Sequence, residues 1–209
     1  VQFENSVSLG WKKEDILLFT NFEFQYGDLR AHVLRDVEFF NKKPQASKIN
    51  AIIKLFENGL IQDNTLYWFH DLDAFQLQPI TEAEIDIADN KIALTDYDTG
   101  SIFFKSGSKD IFDLIKEIMY KKMVDEKEAL ILLTNADSKI NKRVKKINNT
   151  YNFKGYNLKS SYKNALKPIK VAHFHPNQYS LRFFKGGNIL NRGSCIPFAT
   201  SNPEPYLVG

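Results

Sequence analysis

The apolar residues of this chain follow two spacings in alternation, and that alternation narrows the folds open to it. Short apolar runs at 15–20, 66–69, 91–95, 101–104 and 169–174 have the length and content of core strands. Between them the apolar positions recur at helical spacing. Asp28 is placed to cap a helix carrying Leu29, Val33, Leu34, Val37 and Phe40, with Pro44 marking the break after it. A second helix, from about Ser47, carries Ile49, Ile52, Ile53 and Phe56 and stops at Gly59. Asp110 opens a third, with Ile111, Leu114, Ile115 and Ile118 on one face, and 126–133 forms a fourth. Residues 138–148, with Lys139, Lys142, Arg143, Lys145 and Lys146, read as a charged surface helix or loop. Strands alternating with helices predict an α/β fold with one central sheet, mixed but mostly parallel, flanked by helices. A length of 209 residues supports one sizeable core. Residues 1–209 are therefore read as one domain. Its end at 186–209, rich in Gly, Asn, Ser and Pro, reads as an irregular tail or a linker to a further domain.

Composition removes several classes of function. Hydrophobic residues make up 43% and charged residues 25%, the balance of a folded domain in water. No apolar run approaches the ~20 residues that cross a bilayer. The first 13 residues lack the apolar stretch of a signal peptide, so a cytoplasmic protein is expected. An opening Val in place of Met fits a chain cut from something longer. A single cysteine, Cys195, rules out an internal disulfide and a cysteine zinc site. The net charge of +3 conceals two halves: residues 1–137 hold 15 Lys+Arg against 24 Asp+Glu, and residues 138–209 hold 13 against 1. Such a basic segment either meets a polyanion or pairs with the acidic part of its own fold.

Tyr67-Trp68-Phe69-His70 runs directly into Asp71-Leu72-Asp73. Two carboxylates one residue apart at a strand exit can reach one hard divalent cation, which favours oxygen ligands and keeps positions open for phosphate oxygens. The G-x-G-x-x-G and G-x-x-x-x-G-K phosphate loops are both absent, so a nucleotide would be held by another device, and a bridging metal is the cheapest. His173 ends the last strand, and His175 would face the same way in an extended strand. Mixed oxygen and imidazole ligation suits Mn²⁺. His70 alternates away from Asp71 and reads as a packing residue.

The order of these features, over roughly 14–180, resembles the nucleotide-sugar glycosyltransferases of the GT-A fold, including a small virus-encoded member. The order is a strand with a polar exit at Phe19-Thr20-Asn21-Phe22, a helix with Ser47-Lys48, the D-x-D, a Gly-centred turn, an acidic helix and a strand ending at His173. The resemblance implies a metal-dependent transferase that moves a hexose or deoxyhexose from a UDP-sugar to a glycan or glycoprotein acceptor, with retention. It implies Mn²⁺ or Mg²⁺ on Asp71, Asp73 and His173. It implies nucleotide contacts from Thr20, Asn21, Phe22, Lys48 and Asp71, and catalytic or sugar-binding roles for Asp98, Glu126 and Glu128. Departures are Asp98 in place of an Asn, Glu126-Lys127-Glu128 in place of Asp-Gln-Asp, and Pro176 in place of a Gly. Lys170, Arg182, Lys185 and Arg192 are further candidates for the diphosphate. Competing readings are a nucleotidyltransferase or sugar-phosphate hydrolase with a D-x-D metal, and a basic nucleic-acid-binding module. The last is disfavoured because no aromatic platform interleaves the basic residues.

Overall fold

The computed structural model describes residues 2–154 and 162–174. Helix α1 (Gln2–Ser8) leads to four two-residue strands, β1 (Phe19–Thr20), β2 (Gln25–Tyr26), β3 (Leu29–Arg30) and β4 (His32–Val33). Helix α2 (Lys48–Glu57) follows, then β5 (Tyr67–His70), β6 (Ala74–Gln76), the short α3 (Glu82–Ile85), β7 (Ile92–Thr95) and β8 (Asp98–Phe104). Three helices come next, α4 (Lys109–Lys122), α5 (Glu126–Ala136) and α6 (Ser138–Asn141). The described chain closes with β9 (Val144–Lys146), β10 (Phe153–Lys154) and β11 (Val171–His173).

The centre is a four-stranded sheet in the order β5-β8-β7-β9. Side chains alternate across a strand, so each strand feeds two layers. Ile92, Leu94, Ile102 and Phe104 face the helices, packing with Ile49 and Ile52 of α2, Phe112 and Ile115 of α4 and Leu130 of α5. Ala93 and Phe103 face the other way, onto Ile85 and Ile87, with Trp68 and Tyr151 alongside. Removing each large side chain from water stabilises the fold by roughly 1.5–3 kcal/mol. A smaller sheet, β10-β11-β6, joins this one through the Asp71–Asp73 turn that links β5 to β6.

A mixed sheet flanked by helices is what the alternation implied, but its strands are not mostly parallel. β5–β8 and β7–β8 are antiparallel, and β7–β9 is the one parallel pair of the central sheet. The cause is local. Asp96 and Tyr97 both take the left-handed conformation, with φ of 47° and 59°. That geometry makes the tight two-residue turn of a hairpin, so Asp98 to Gly100 lie within β8 rather than in a turn.

Three further expectations are corrected. The run at 15–20 yields only β1, partly exposed and paired with β4 outside the central sheet. The helix expected after Asp28 does not form. Gly27 (φ +57°) and Asp28 turn the β2–β3 hairpin, and Asp28 meets Lys13 Nζ at 2.9 Å instead of capping. The backbone of His32 and Leu34 is committed to Leu18 and Thr20, and Asp36 at φ 59° would break a helix. Residues 144–146 of the basic segment are a sheet strand, held beside β7. The helices carried by Ile49, by Ile111 and by Glu126 form where expected, and Gly59 (φ +67°) follows the first of them. Among the described residues, no helix is long and apolar enough to cross a membrane. His175, Pro176, Arg182, Lys185, Arg192, Cys195 and the tail at 186–209 lie outside the described residues.

Candidate metal centre

Strand pairing alone brings the sequence-distant ligands together. Asp71 N–H donates to Gly100 O at 3.0 Å, extending the β5–β8 ladder by one residue. β11 runs antiparallel to β6 with His173 opposite Ala74, and Phe174 N–H donates to Asp73 O at 2.7 Å. His173 Nε2 then lies 2.9 Å from Asp73 Oδ1 and 4.0 Å from Asp71 Oδ2. One ligand atom from each of Asp71, Asp73 and His173 falls within 4.8 Å of the other two. Neighbouring ligands of an octahedral Mg²⁺-sized ion sit about 3 Å apart and opposite ones about 4 Å apart, so the 2.9 and 4.0 Å separations fit a shared cation, and the widest of the set would close by less than about 1 Å around it.

The surroundings of His173 are built to aim the ring. The Asn152 amide donates through Nδ2 to Asp98 Oδ1 at 2.8 Å, which leaves its oxygen to accept from His173 Nδ1 at 3.0 Å. With Nδ1 donating, Nε2 turns a lone pair toward Asp73. Two acceptors facing each other at 2.9 Å are relieved by a shared cation or proton. Gly100 makes room for the ring, since a Cβ there would lie 2.2 Å from His173 Cε1. Burial would raise the Asp98 carboxyl, but the Lys154 ammonium, then Gly100 N–H and Asn152, outweigh it and hold Asp98 at about 2.

Two helix N-termini supply the other side. Lys48, the first residue of α2, places Nζ 2.7 Å from both carboxylate oxygens of Asp71. Glu126, the first residue of α5, lies 3.6 Å from the same Nζ. Its Oε1 accepts from Thr99 Oγ1 at 2.7 Å, while its Oε2 is buried without a partner among the described residues. Asp125 caps α5 by accepting from Glu128 N–H at 2.8 Å, and that cap fixes where Glu126 points.

The expected site residues thus fall into groups. Lys48, Asp71, Asp73, Asp98, Glu126 and His173 converge. Thr20, Asn21 and Phe22 lie at the end of β1, which Phe19 tethers to Phe69 of β5 at a ring separation of 6.2 Å, and Asn21 and Phe22 are exposed. Glu128 is exposed on the outer side of the α5 N-terminus. Lys170 is held by Glu84 at 2.8 Å and by Pro79 O at 2.7 Å. His70 packs on Trp68, and loss of water pushes its imidazole below the ordinary value. Asn152 and Lys154 escape the sequence reading because neither sits in a spaced motif. Parallel pairing of β10 with β11, Lys154 opposite His173, brings them in.

No protein-family model and no curated protein matches the chain. Among solved structures it is similar to the glycosyltransferase GlyE of Streptococcus pneumoniae TIGR4, with a TM-score of 0.46 and 16% identity over 63% of this chain. It is also similar to the galactosyltransferase LgtC in complex with donor and acceptor sugar analogs, with a TM-score of 0.44 and 16% identity over 74% of this chain. The chain spans 42% of the GlyE structure and 68% of the LgtC structure.

Proposed function

We propose that the chain is a divalent-metal-dependent glycosyltransferase that moves a hexose or deoxyhexose from a UDP-sugar to a glycan or glycoprotein acceptor. The convergence of Asp71, Asp73 and His173 at the exit of β5 carries this reading. The donor set suits Mn²⁺ or Mg²⁺, and the chain has neither glycine-rich loop to hold a diphosphate by backbone alone. The order of motifs that resembles GT-A enzymes supports the choice of a nucleotide sugar as substrate.

A bound cation would supply Lewis-acid neutralisation of the charge that a nucleoside diphosphate gathers as it leaves. The chain's own groups do the remaining work. Exposed Phe22 offers a ring face to the base, with Thr20 and Asn21 beside it as polar contacts for base or ribose. Lys48 brings an ammonium to the edge of the same site. Glu126 holds Thr99 of β8 through Oε1 and stands beside Lys48, so it shapes the site from behind rather than touching the sugar. Asp98 stays ionised and fully engaged, so it orients Asn152 and through it His173 rather than taking up a proton. Glu128 has no part in this scheme.

Retention belongs to the same proposal, because the late His173-Phe174 segment resembles that of retaining members. UDP-sugars offered with Mn²⁺ and a saccharide acceptor should release UDP and yield a product with the donor's anomeric configuration, read by proton coupling. An inverted product would overturn retention. Turnover of a nucleoside triphosphate with no UDP-sugar turnover would favour nucleotidyl transfer instead.

A further inference from the structure

Lys48 stands between two carboxylates and satisfies only one of them. Its Nζ lies 2.7 Å from each oxygen of Asp71, while Glu126 Oε1 is 3.6 Å away. Both Lys48 and Glu126 are withdrawn from solvent, with side chains 10% and 8% exposed. Buried carboxylate oxygens normally have partners, yet Glu126 Oε2 has none among the described residues. Asp71 is also a member of the candidate ligand set, and an oxygen that already accepts from an ammonium is a weaker ligand for a cation, which that ammonium also repels.

We propose that Lys48 and a divalent cation compete for Asp71, and that Glu126 receives the displaced ammonium. The inference rests on the metal-site reading and adds a role that the ligand set alone does not contain. Lys48 acts as a positioning residue. It keeps the Asp71 carboxylate aimed into the site, then releases it by a movement of the order of 1 Å toward Glu126. That movement brings Nζ within close ion-pair distance of Glu126 Oε1, on a buried carboxylate whose other oxygen has no partner among the described residues, so the cost of breaking the Lys48–Asp71 pair is offset within the site. Metal affinity is thereby set low until other ligands join, and the natural supplier of those ligands is a diphosphate carrying its own cation. Metal and nucleotide then arrive together rather than in sequence.

Through-space repulsion between Lys48 and a metal would also weaken binding, so single variants do not isolate the handover. A double-mutant cycle does. Mn²⁺ alone is titrated into the full chain, with free Mn²⁺ read by electron paramagnetic resonance, for wild type, Lys48→Met, Glu126→Gln and the double variant. Lys48→Met is expected to tighten Mn²⁺ about tenfold, because Asp71 is left without its buried partner. Glu126→Gln is expected to weaken Mn²⁺ binding in the wild-type background and to have little effect once Lys48 is gone. Additive effects of the two changes would overturn the handover. Absence of Mn²⁺ binding in all four proteins would instead overturn the metal site itself. Lys48→Gln serves in the same cycle if the Met variant does not fold.

Discussion

At the scale of single residues, the most informative contact is the one from His173 Nδ1 to Asn152. It selects the tautomer that leaves Nε2 for a metal, and Asp98 and Lys154 stand behind it as a chain of polar contacts. Partners of this kind commonly change metal affinity by about 10–100-fold. Asn152→Leu should therefore weaken Mn²⁺ by that factor in a direct titration while leaving the folded chain intact by circular dichroism. Unchanged affinity would show that ring orientation is set elsewhere. The sequence offered Asp71, Asp73 and His173 because their residue types and strand-end positions already name metal chemistry. It offered nothing on Asn152, whose role comes from the pairing of β10 with β11.

At the scale of elements, β8 carries the fold and the site together. Its inner half, Ile102 to Phe104, is shared between two core layers, and its outer half supplies Asp98, Thr99 and Gly100. Phe104 is 2% exposed, with Phe56, Tyr67 and Phe112 within 6 Å by ring centroid. Phe104→Ala should cost about 3–5 kcal/mol in urea unfolding. A loss below about 1 kcal/mol would mean that this layer is not the core. The elements legible in the sequence were those with long, uniform periodicity, such as α2 and α4, where apolar spacing and burial agree. The stretch from Asp28 to Phe40 mimics a helix in the spacing of its apolar positions. Turn chemistry at Gly27-Asp28 and the left-handed Asp36 override that spacing. β9 is hidden for the opposite reason: Val144 is its one buried side chain, with Arg143 before it and Lys145 and Lys146 after it.

At the scale of the molecule, the two charge halves are folded against each other. Arg143 grips both oxygens of Asp110, Lys170 meets Glu84 and Lys154 meets Asp98. These pairs give the acid response a definite sign. Asp98 is held at about 2 against an ordinary 3.8, so the unfolded chain binds its proton first as pH falls. The stabilisation is therefore full above pH ~4 and is lost as pH drops toward ~2, with about 2 kcal/mol at stake from this group. Urea midpoints taken between pH 5 and 2 should fall in that window, and the fall should be shallower in Asp98→Asn. An equal fall in both proteins would assign the acid loss to other carboxylates. The central claim concerns the cluster at the exit of β5 and is tested by isothermal titration calorimetry of UDP into the full chain, with and without Mn²⁺. The account predicts binding that requires Mn²⁺ and disappears in Asp73→Ala. UDP binding that is independent of Mn²⁺, or unaltered by Asp73→Ala, would contradict it.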